Sequence, residues 1–150
     1  TDNKNRTAAE VRHIFTRHGR DFASVGSVIR GFQRKGQIIL EAKDLDEDKI
    51  MKLVLEAGAE DMTKDEDRIE ITTDPAAFPE VCDALGKAGI KTVSAEVSLI
   101  PITTVPVGEK KTADEILRLV NDLEDNDDVQ NVFTNMEMSD EIMSAMAEEA

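Results

Sequence analysis

The sequence that decides the fold begins at residue 46 and reads DEDKIMKLVLEAG as far as residue 58. Its apolar residues recur three and four positions apart, which predicts an amphipathic helix that begins after Asp46. Leu45 and Ile50 stand where a hydrophobic staple would hold the first turn. Gly58 predicts the end of the helix, because glycine readily takes the left-handed conformation that closes many helices.

The segments that follow this helix predict a hairpin, a second helix and a long strand. Strands are expected near 60–64 and 68–73, on either side of a polar turn. Pro75, preceded by aspartate, is expected at the first position of the next helix, and Pro79 is expected to distort that helix's first turn. The apolar run 90–100 predicts the long strand.

The N-terminal part of the chain repeats the helix and the hairpin. Its helix is predicted to begin at Thr7, which has the capping-box spacing with Glu10. Two strands are predicted near 27–33 and 37–42, joined by a tight turn at 34–36.

The C-terminal part supplies the remaining elements. A strand is predicted over 102–107, a helix capped by Thr112 follows, and 129–134 is predicted to be the last strand. The tail that begins at Ser139 is expected to be either a short frayed helix or disordered.

Together these elements predict an α+β fold made of two ferredoxin-like split βαβ modules, the second inserted into the first. The expected domains are a discontinuous one, 1–42 with 102–136, and an inserted one, 43–101. Residues 137–150 form the C-terminal tail.

Charge is distributed unevenly along the chain. The 150 residues carry 32 acidic and 18 basic side chains, a net charge of −14, which argues against nucleic acid as a partner. Residues 1–36, however, carry +5 and the remainder −19. This asymmetry predicts a basic nucleic-acid-binding face, the alternative being a solvated helix face and a basic turn. The candidate contacts are Lys4, Arg6, Arg12, Arg17, Arg20, Arg30, Arg34 and Lys35.

Residues with catalytic or metal-binding chemistry are scarce. His13 and His18 would lie about 140° apart around a helix, too far to share a metal. Cys82 lies on an apolar helix face and is expected to pack as a small hydrophobe. Phosphate-loop, dinucleotide and zinc-protease motifs are absent from the sequence, and 44–55 fails the calcium-loop pattern. The expectation is therefore a protein that is not an enzyme, with no catalytic residue, no cofactor, no metal and no small-molecule substrate.

A reducing compartment suits a chain with one cysteine. The sequence has no apolar run long enough to span a membrane, so a cytoplasmic location without a membrane partner is expected.

Aromatic residues for stacking on bases are also few. Five phenylalanines are the whole supply, and Phe15, Phe78 and Phe133 are expected in the core. Phe22 and Phe32 remain as candidates, with core packing favoured for Phe32.

The opening residues are the most distinctive motif, reading TDNKNRT over 1–7 and EVRH over 10–13. This motif resembles the YebC/PmpR family. Further matches to the family are Gly26–Val28, Lys35-Gly36, Leu55–Asp61, Thr73–Pro75, Ser94–Val97, Ile100-Pro101, Leu123–Asp125 and Asp127–Val132. The family usually reads HGGNLG after the first helix, and here residues 18–23 read HGRDFA.

The resemblance implies the second and third domains of a three-domain protein, with the third inserted into the second. The family's basic N-terminal domain and the strand that leads into the TDN motif are absent, so a fragment is expected. The family is similar to transcriptional regulators that bind DNA, and to ribosome-associated translation factors such as the mitochondrial translational activator of cytochrome oxidase subunit I. The expected partner is DNA, alternatively the ribosome or RNA, contacted through residues 4–35 and the missing domain. A non-enzymatic protein-interaction scaffold is the third possibility, and the oligomeric state is not predicted.

Overall fold

A computed structural model describes residues 1–148, which divide into two units. Among the described residues, the first unit comprises 1–32 and 101–148, and the second comprises 33–100. The helices are α1 (Lys4–Arg17), α2 (Val25–Val28), α3 (Glu47–Glu56), α4 (Phe78–Lys87), α5 (Lys110–Glu124) and α6 (Asp140–Ala147), with a 3₁₀ turn at Ile29–Gly31. The strands are β1 (Phe32–Glu41), β2 (Ala59–Asp65), β3 (Arg68–Thr73), β4 (Thr92–Pro101), β5 (Val105–Val107) and β6 (Met136–Met138).

The second unit is a four-stranded sheet with two helices. Its strand order is β2-β3-β1-β4, and β3 pairs antiparallel with both β1 and β2. Alternate residues along β1 and β3 are buried, so that Ile38 lies opposite Ile71 and Leu40 opposite Ile69. The core of the unit consists of Ile38, Leu40, Ile50, Val54, Ala59, Met62, Ile69, Ile71, Val81 and Leu85.

The helix predicted from residue 46 is confirmed as α3. Asp46 is its N-cap, and the carboxylate accepts a hydrogen bond from the Lys49 amide. Ile50 is buried and Leu45 packs against the same core, as a staple would require. Gly58 follows the helix with φ +106°, a backbone conformation in which a β-carbon is strained.

The hairpin predicted between 27–33 and 37–42 is wrong. Residues 25–31 are helical, and β1 runs without a break through Arg34 and Gly36. Gly36 is buried in the sheet opposite Thr73, where a β-carbon would lie 2.4 Å from Thr73 Oγ1 and 2.5 Å from Phe78 Cδ2. The glycine that suggested a turn is therefore required for close packing inside a strand.

The first turn of α4 also differs from the prediction. The helix begins at Phe78, so Pro75 lies in the preceding turn and Pro79 at the second helical position. A backbone N–H at the second helical position has no acceptor within the helix, so proline there removes no helical hydrogen bond.

In the first unit, α5 packs against α1, α6 and β5. The buried apolar side chains among its described residues are Ile14, Ala113, Leu123 and Ile142. Its sheet has two strands, β5 and β6, paired in parallel. The tail is helical as α6, with Ser139 as N-cap.

Three predictions for the first unit are wrong. Helix α1 begins at Lys4 with Asn3 as its cap, so Thr7 is inside the helix. Helix α5 likewise begins before Thr112. Residues 129–134 are irregular, and the final strand is 136–138.

The fold is therefore mixed α+β, with an antiparallel sheet and a small parallel sheet. The boundary expected near residue 43 would assign β1 to the first domain. In the structure the second unit begins at residue 33, and residues 36–41 pair with β3 of that unit.

Candidate nucleic-acid interface

Helix α1 carries most of the predicted basic face. Asn3 starts the helix, because its side-chain oxygen accepts a 3.1 Å hydrogen bond from the Arg6 amide. Val11, Ile14 and Phe15 form the apolar stripe, with Ile14 buried. The helix closes at His18, and Gly19 takes φ +68°. The cations of α1 are exposed and lie off this stripe.

Two of the candidate cations are paired with carboxylates of α5. Arg17 donates to Asp122, and Arg20, just beyond the helix, lies 3.1 Å from Glu115. Glu115 and Asp122 are seven residues apart on α5, which places them on the same helical face. The basic side of α1 is therefore partly neutralised within its own unit.

Arg6 belongs to a larger cluster around Asp128. Its guanidinium lies 3.1 Å from Asp128 Oδ2 and 2.9 Å from Asp2 Oδ1. Thr7 Oγ1 donates to the same Asp128 oxygen at 2.6 Å, and Thr1 Oγ1 lies 3.1 Å from it. The hydrogen bond from Thr7, followed by that from Arg6, lowers the pKa of Asp128 to about 2.

The contacts around Asp128 give the TDNKNRT motif a structural role. Thr1, Arg6 and Thr7 converge on Asp128, which follows α5, and Asn126 Nδ2 donates to Glu10 at 3.1 Å. The contacts join the start of α1 to the loop after α5. Within the first unit, the motif works as a clasp between two segments that are far apart in sequence.

The two histidines have separate environments. His18 Nε2 lies 2.7 Å from Asp122 Oδ2, and its side chain is 20% exposed. Hydrogen bonds from His18 and then Arg17 lower the pKa of Asp122. His13 is exposed on α1. Over residues 1–148, no group of histidine, cysteine and acidic side chains is arranged to hold a metal ion.

Cys82 is half-buried against the core of the second unit. Burial, followed by the charge of Asp83, raises the pKa of its thiol. A raised pKa disfavours the reactive thiolate.

Lys4, Arg12 and Arg30 differ from the other candidate cations of the first unit. All three are exposed, and none pairs with a carboxylate in the part of the chain that the structure describes. The Arg12 guanidinium carbon lies 5.7 Å from the centroid of the Phe22 ring, within cation–π range. Phe22 also meets Phe15 edge to face.

The remaining two candidates lie in β1 of the second unit. Lys35 Nζ donates to Glu60 Oε2 at 2.6 Å. Glu60 is the extra residue at the register shift in β2. Arg34 is exposed and has no carboxylate partner among residues 1–148.

Sequence reasoning missed the carboxylates that neutralise this segment. Asp122, Asp128 and Glu115 belong to a strongly acidic stretch, and none of them was predicted to pair with the basic segment. The i, i+7 spacing of Glu115 and Asp122 was the available signal. It marks one acidic face on α5, complementary to the basic helix α1.

Comparison with known proteins identifies the family. A family model described as the TACO1/YebC second and third domain matches residues 1–136. A protein of Syntrophus aciditrophicus is 45% identical over 98% of this chain, and one of Geotalea uraniireducens is 47% identical over 97%. Both are named "Probable transcriptional regulatory protein", a regulatory name rather than an enzyme's.

A solved structure agrees with these relatives. The crystal structure of a conserved hypothetical protein from Aquifex aeolicus has a TM-score of 0.80 and 40% identity, and the match covers 95% of this chain and 59% of that one. The chain spans 58% of the length of the Syntrophus and Geotalea relatives. The resemblance predicted from the TDN motif is confirmed, and the chain belongs to the TACO1/YebC family.

Proposed function

We propose that this chain serves in a regulator of gene expression that binds DNA through the cations of residues 4–35, and that it acts without catalysis. The names of the relatives support a regulatory role. The observation that carries the DNA contact is the set of exposed cations of the first unit that have no carboxylate partner among residues 1–148, namely Lys4, Arg12 and Arg30. Arg34 of the second unit is proposed as a separate contact.

Unpaired cations suit phosphate binding for an electrostatic reason. Arg6, Arg17 and Arg20 would have to leave Asp128, Asp122 and Glu115 before they could bind a phosphate fully. An unpaired cation gives up only water and counterions, and counterion release favours association. Lys4, Arg12 and Arg30 are therefore expected to supply most of the affinity that the first unit contributes.

Phosphate contacts position a protein on a duplex without reading its sequence. The same cations would also suit ribosomal or messenger RNA. A ribosome-associated translation factor is therefore the second candidate, favoured by the exposed Phe22 beside Arg12, since exposed aromatics suit unpaired RNA bases. A protein-interaction scaffold would bind neither nucleic acid.

The test compares two triple variants with the same loss of charge. Lys4, Arg12 and Arg30 are changed to alanine in the first. The control changes three exposed lysines of the second unit that have no carboxylate partner among residues 1–148: Lys43, Lys52 and Lys91. Binding to a promoter fragment is measured as a function of salt, and binding to ribosomes by co-sedimentation.

The first variant is expected to bind more weakly and to lower the slope of log K against log salt by about three. The control is expected to keep the slope of the unmodified chain. Equal effects of the two variants would show that only net charge matters and would refute the proposed interface. Exclusive binding to ribosomes would replace the DNA reading with the translation-factor candidate.

Two further proposals concern the setting of this function. We propose that residues 33–100 form a ferredoxin-like module, supported by the order strand, helix, strand, strand, helix, strand and by the sheet order β2-β3-β1-β4. A cytoplasmic location is proposed from the single cysteine. Among residues 1–148, none of the helices has the length and apolar character that a bilayer span requires.

A further inference from the structure

Phe22 is an exposed aromatic ring that its neighbours hold in place. It lies between α1 and α2, and 45% of it is exposed. Its ring centroid is 5.4 Å from that of Phe15, with the two planes at 78°. Phe15 belongs to the apolar stripe of α1, so this edge-to-face contact anchors Phe22 to a regular helix.

Arg12 gives the same ring a cationic neighbour. Its guanidinium lies 5.7 Å from the ring centroid, and no carboxylate within residues 1–148 pairs with it. Phe133, which is 39% exposed rather than buried as predicted, has neither an aromatic nor a cationic partner in the described part of the chain. Phe22 therefore combines exposure, anchoring and an available positive charge.

Exposure, anchoring and a nearby positive charge are the properties of a protein site that binds an unpaired base. Proteins that bind single strands place a base on an aromatic face and neutralise the neighbouring phosphate with a cation. Arginine also stacks on bases through its planar guanidinium. A base inside a duplex is already stacked on both sides, so it cannot use such a site without leaving the helix.

Building on the proposed function, we infer that Phe22 and Arg12 form a stacking site for an unpaired base of a single-stranded nucleic acid. The Phe22 ring takes the base, and the Arg12 guanidinium takes the adjacent phosphate. The site deepens the proposed function, because it names single-stranded RNA or DNA as the form that the first unit prefers.

The chain has no tryptophan, so one introduced tryptophan reports on its own surroundings. Phe22→Trp places the reporter in the site, and Phe133→Trp is the matched control at another exposed phenylalanine of the same unit. The probes are a 12-nucleotide RNA of mixed sequence, the DNA strand of the same sequence, and the corresponding DNA duplex. Single strands are expected to quench the fluorescence of Phe22→Trp and to leave that of Phe133→Trp unchanged.

Affinity provides the second measurement. Phe22→Ala is expected to weaken binding of the single strands about tenfold, Phe22→Trp to restore it, and both to change duplex binding less than twofold. Because the side chain is exposed, circular dichroism melting is expected to show that Phe22→Ala is folded. Quenching by either single strand supports the site. The strand that quenches more strongly, RNA or DNA, identifies the natural source of the base.

The inference and the proposed function fail in different ways. Loss of single-strand and duplex binding to the same extent in Phe22→Ala, or no change in either, would overturn the stacking site and leave the proposed interface standing. Equal salt slopes for the two triple-alanine variants would overturn the proposed interface. An unmodified chain that binds no nucleic acid would overturn both.

Discussion

Gly36→Ala is the substitution for which the structure gives the sharpest expectation. An added β-carbon would lie 2.4 Å from Thr73 Oγ1, 2.5 Å from Phe78 Cδ2 and 2.9 Å from Phe78 Cβ. The ring could turn away, but the Phe78 Cβ is attached to the first residue of α4 and moves only with the helix. The Thr73 hydroxyl would also have to give up its 2.9 Å hydrogen bond to the Asp74 carbonyl.

Overpacking of this kind costs ~1–3 kcal/mol, and backbone involvement favours the upper end. The measurement is native-state hydrogen exchange of the β1 and β3 amides, because the two units need not unfold together. A loss of ~3 kcal/mol corresponds to exchange about 160-fold faster for the slowest amides of the second unit. Amides of the first unit are expected to keep their rates.

Gly86→Ala is the matched control. It lies in α4 of the same unit, and an added β-carbon there meets nothing within 4 Å. Its effect is expected to be a gain of ~0.5–1 kcal/mol, since alanine favours helix over glycine. The packing argument also predicts that Gly36→Ala costs less when Phe78 is already alanine. A change below ~0.5 kcal/mol for Gly36→Ala, or full additivity with Phe78→Ala, would refute the reasoning.

Two further predictions concern the clasp and the core. The folded-state pKa of Asp128, about 2, lies below its ordinary 3.8, so its stabilising effect is present above pH 4 and is lost as the pH falls toward 2. The melting temperature of the unmodified chain is expected to fall between pH 4 and pH 2, and Asp128→Asn is expected to make this fall smaller. Asp127→Asn is the control and is expected to keep the fall of the unmodified chain. The same dependence of melting temperature on pH in both variants would contradict the role of Asp128 in the clasp. Leu85 is fully buried, and Leu85→Ala is expected to lower the free energy of unfolding by ~2–5 kcal/mol, measured by urea denaturation. Leu55 on α3 is 49% exposed, and Leu55→Ala is expected to lower the same free energy by less than ~1 kcal/mol. Similar losses for the two variants would contradict the burial assignment.

Elements with a strong local pattern were predictable from the sequence. Helix α3 had an apolar period, a cap and a terminal glycine, and it begins within one residue of the prediction. Strand β3 agrees at both ends, because Ile69 and Ile71 alternate with polar residues and a polar turn precedes them. Such elements are decided by neighbours in sequence, which is why a single sequence suffices.

The errors occurred where distant residues decide the structure. Arg34, Lys35 and Gly36 have the composition of a turn, yet β1 runs through all three, and Gly36 pairs with Thr73 of β3. The Thr7 hydroxyl fits a capping box, yet it bonds to Asp128, which lies 121 positions along the chain. No local pattern carries that information.

The candidate interface divides in the same way. Its cations could be listed from composition, and the family could be identified from TDNKNRT. Which cations are available depends on Asp122, Glu115 and Asp128, and their contacts exist only in the folded unit. The exposure of Phe22 beside Arg12 likewise required the fold.

The hydrogen bond between Gly31 and Ile102 has a consequence for how this chain could be rebuilt. The Ile102 amide donates to the Gly31 carbonyl at 2.9 Å, so the chain leaves the first unit and returns to it at the same point. Residues 33–100 are therefore an inserted segment whose two ends are adjacent. Positions with this geometry tolerate the insertion or removal of a domain. A short turn could replace residues 33–100, because Gly31 and Ile102, the residues it would connect, are already joined by a backbone hydrogen bond.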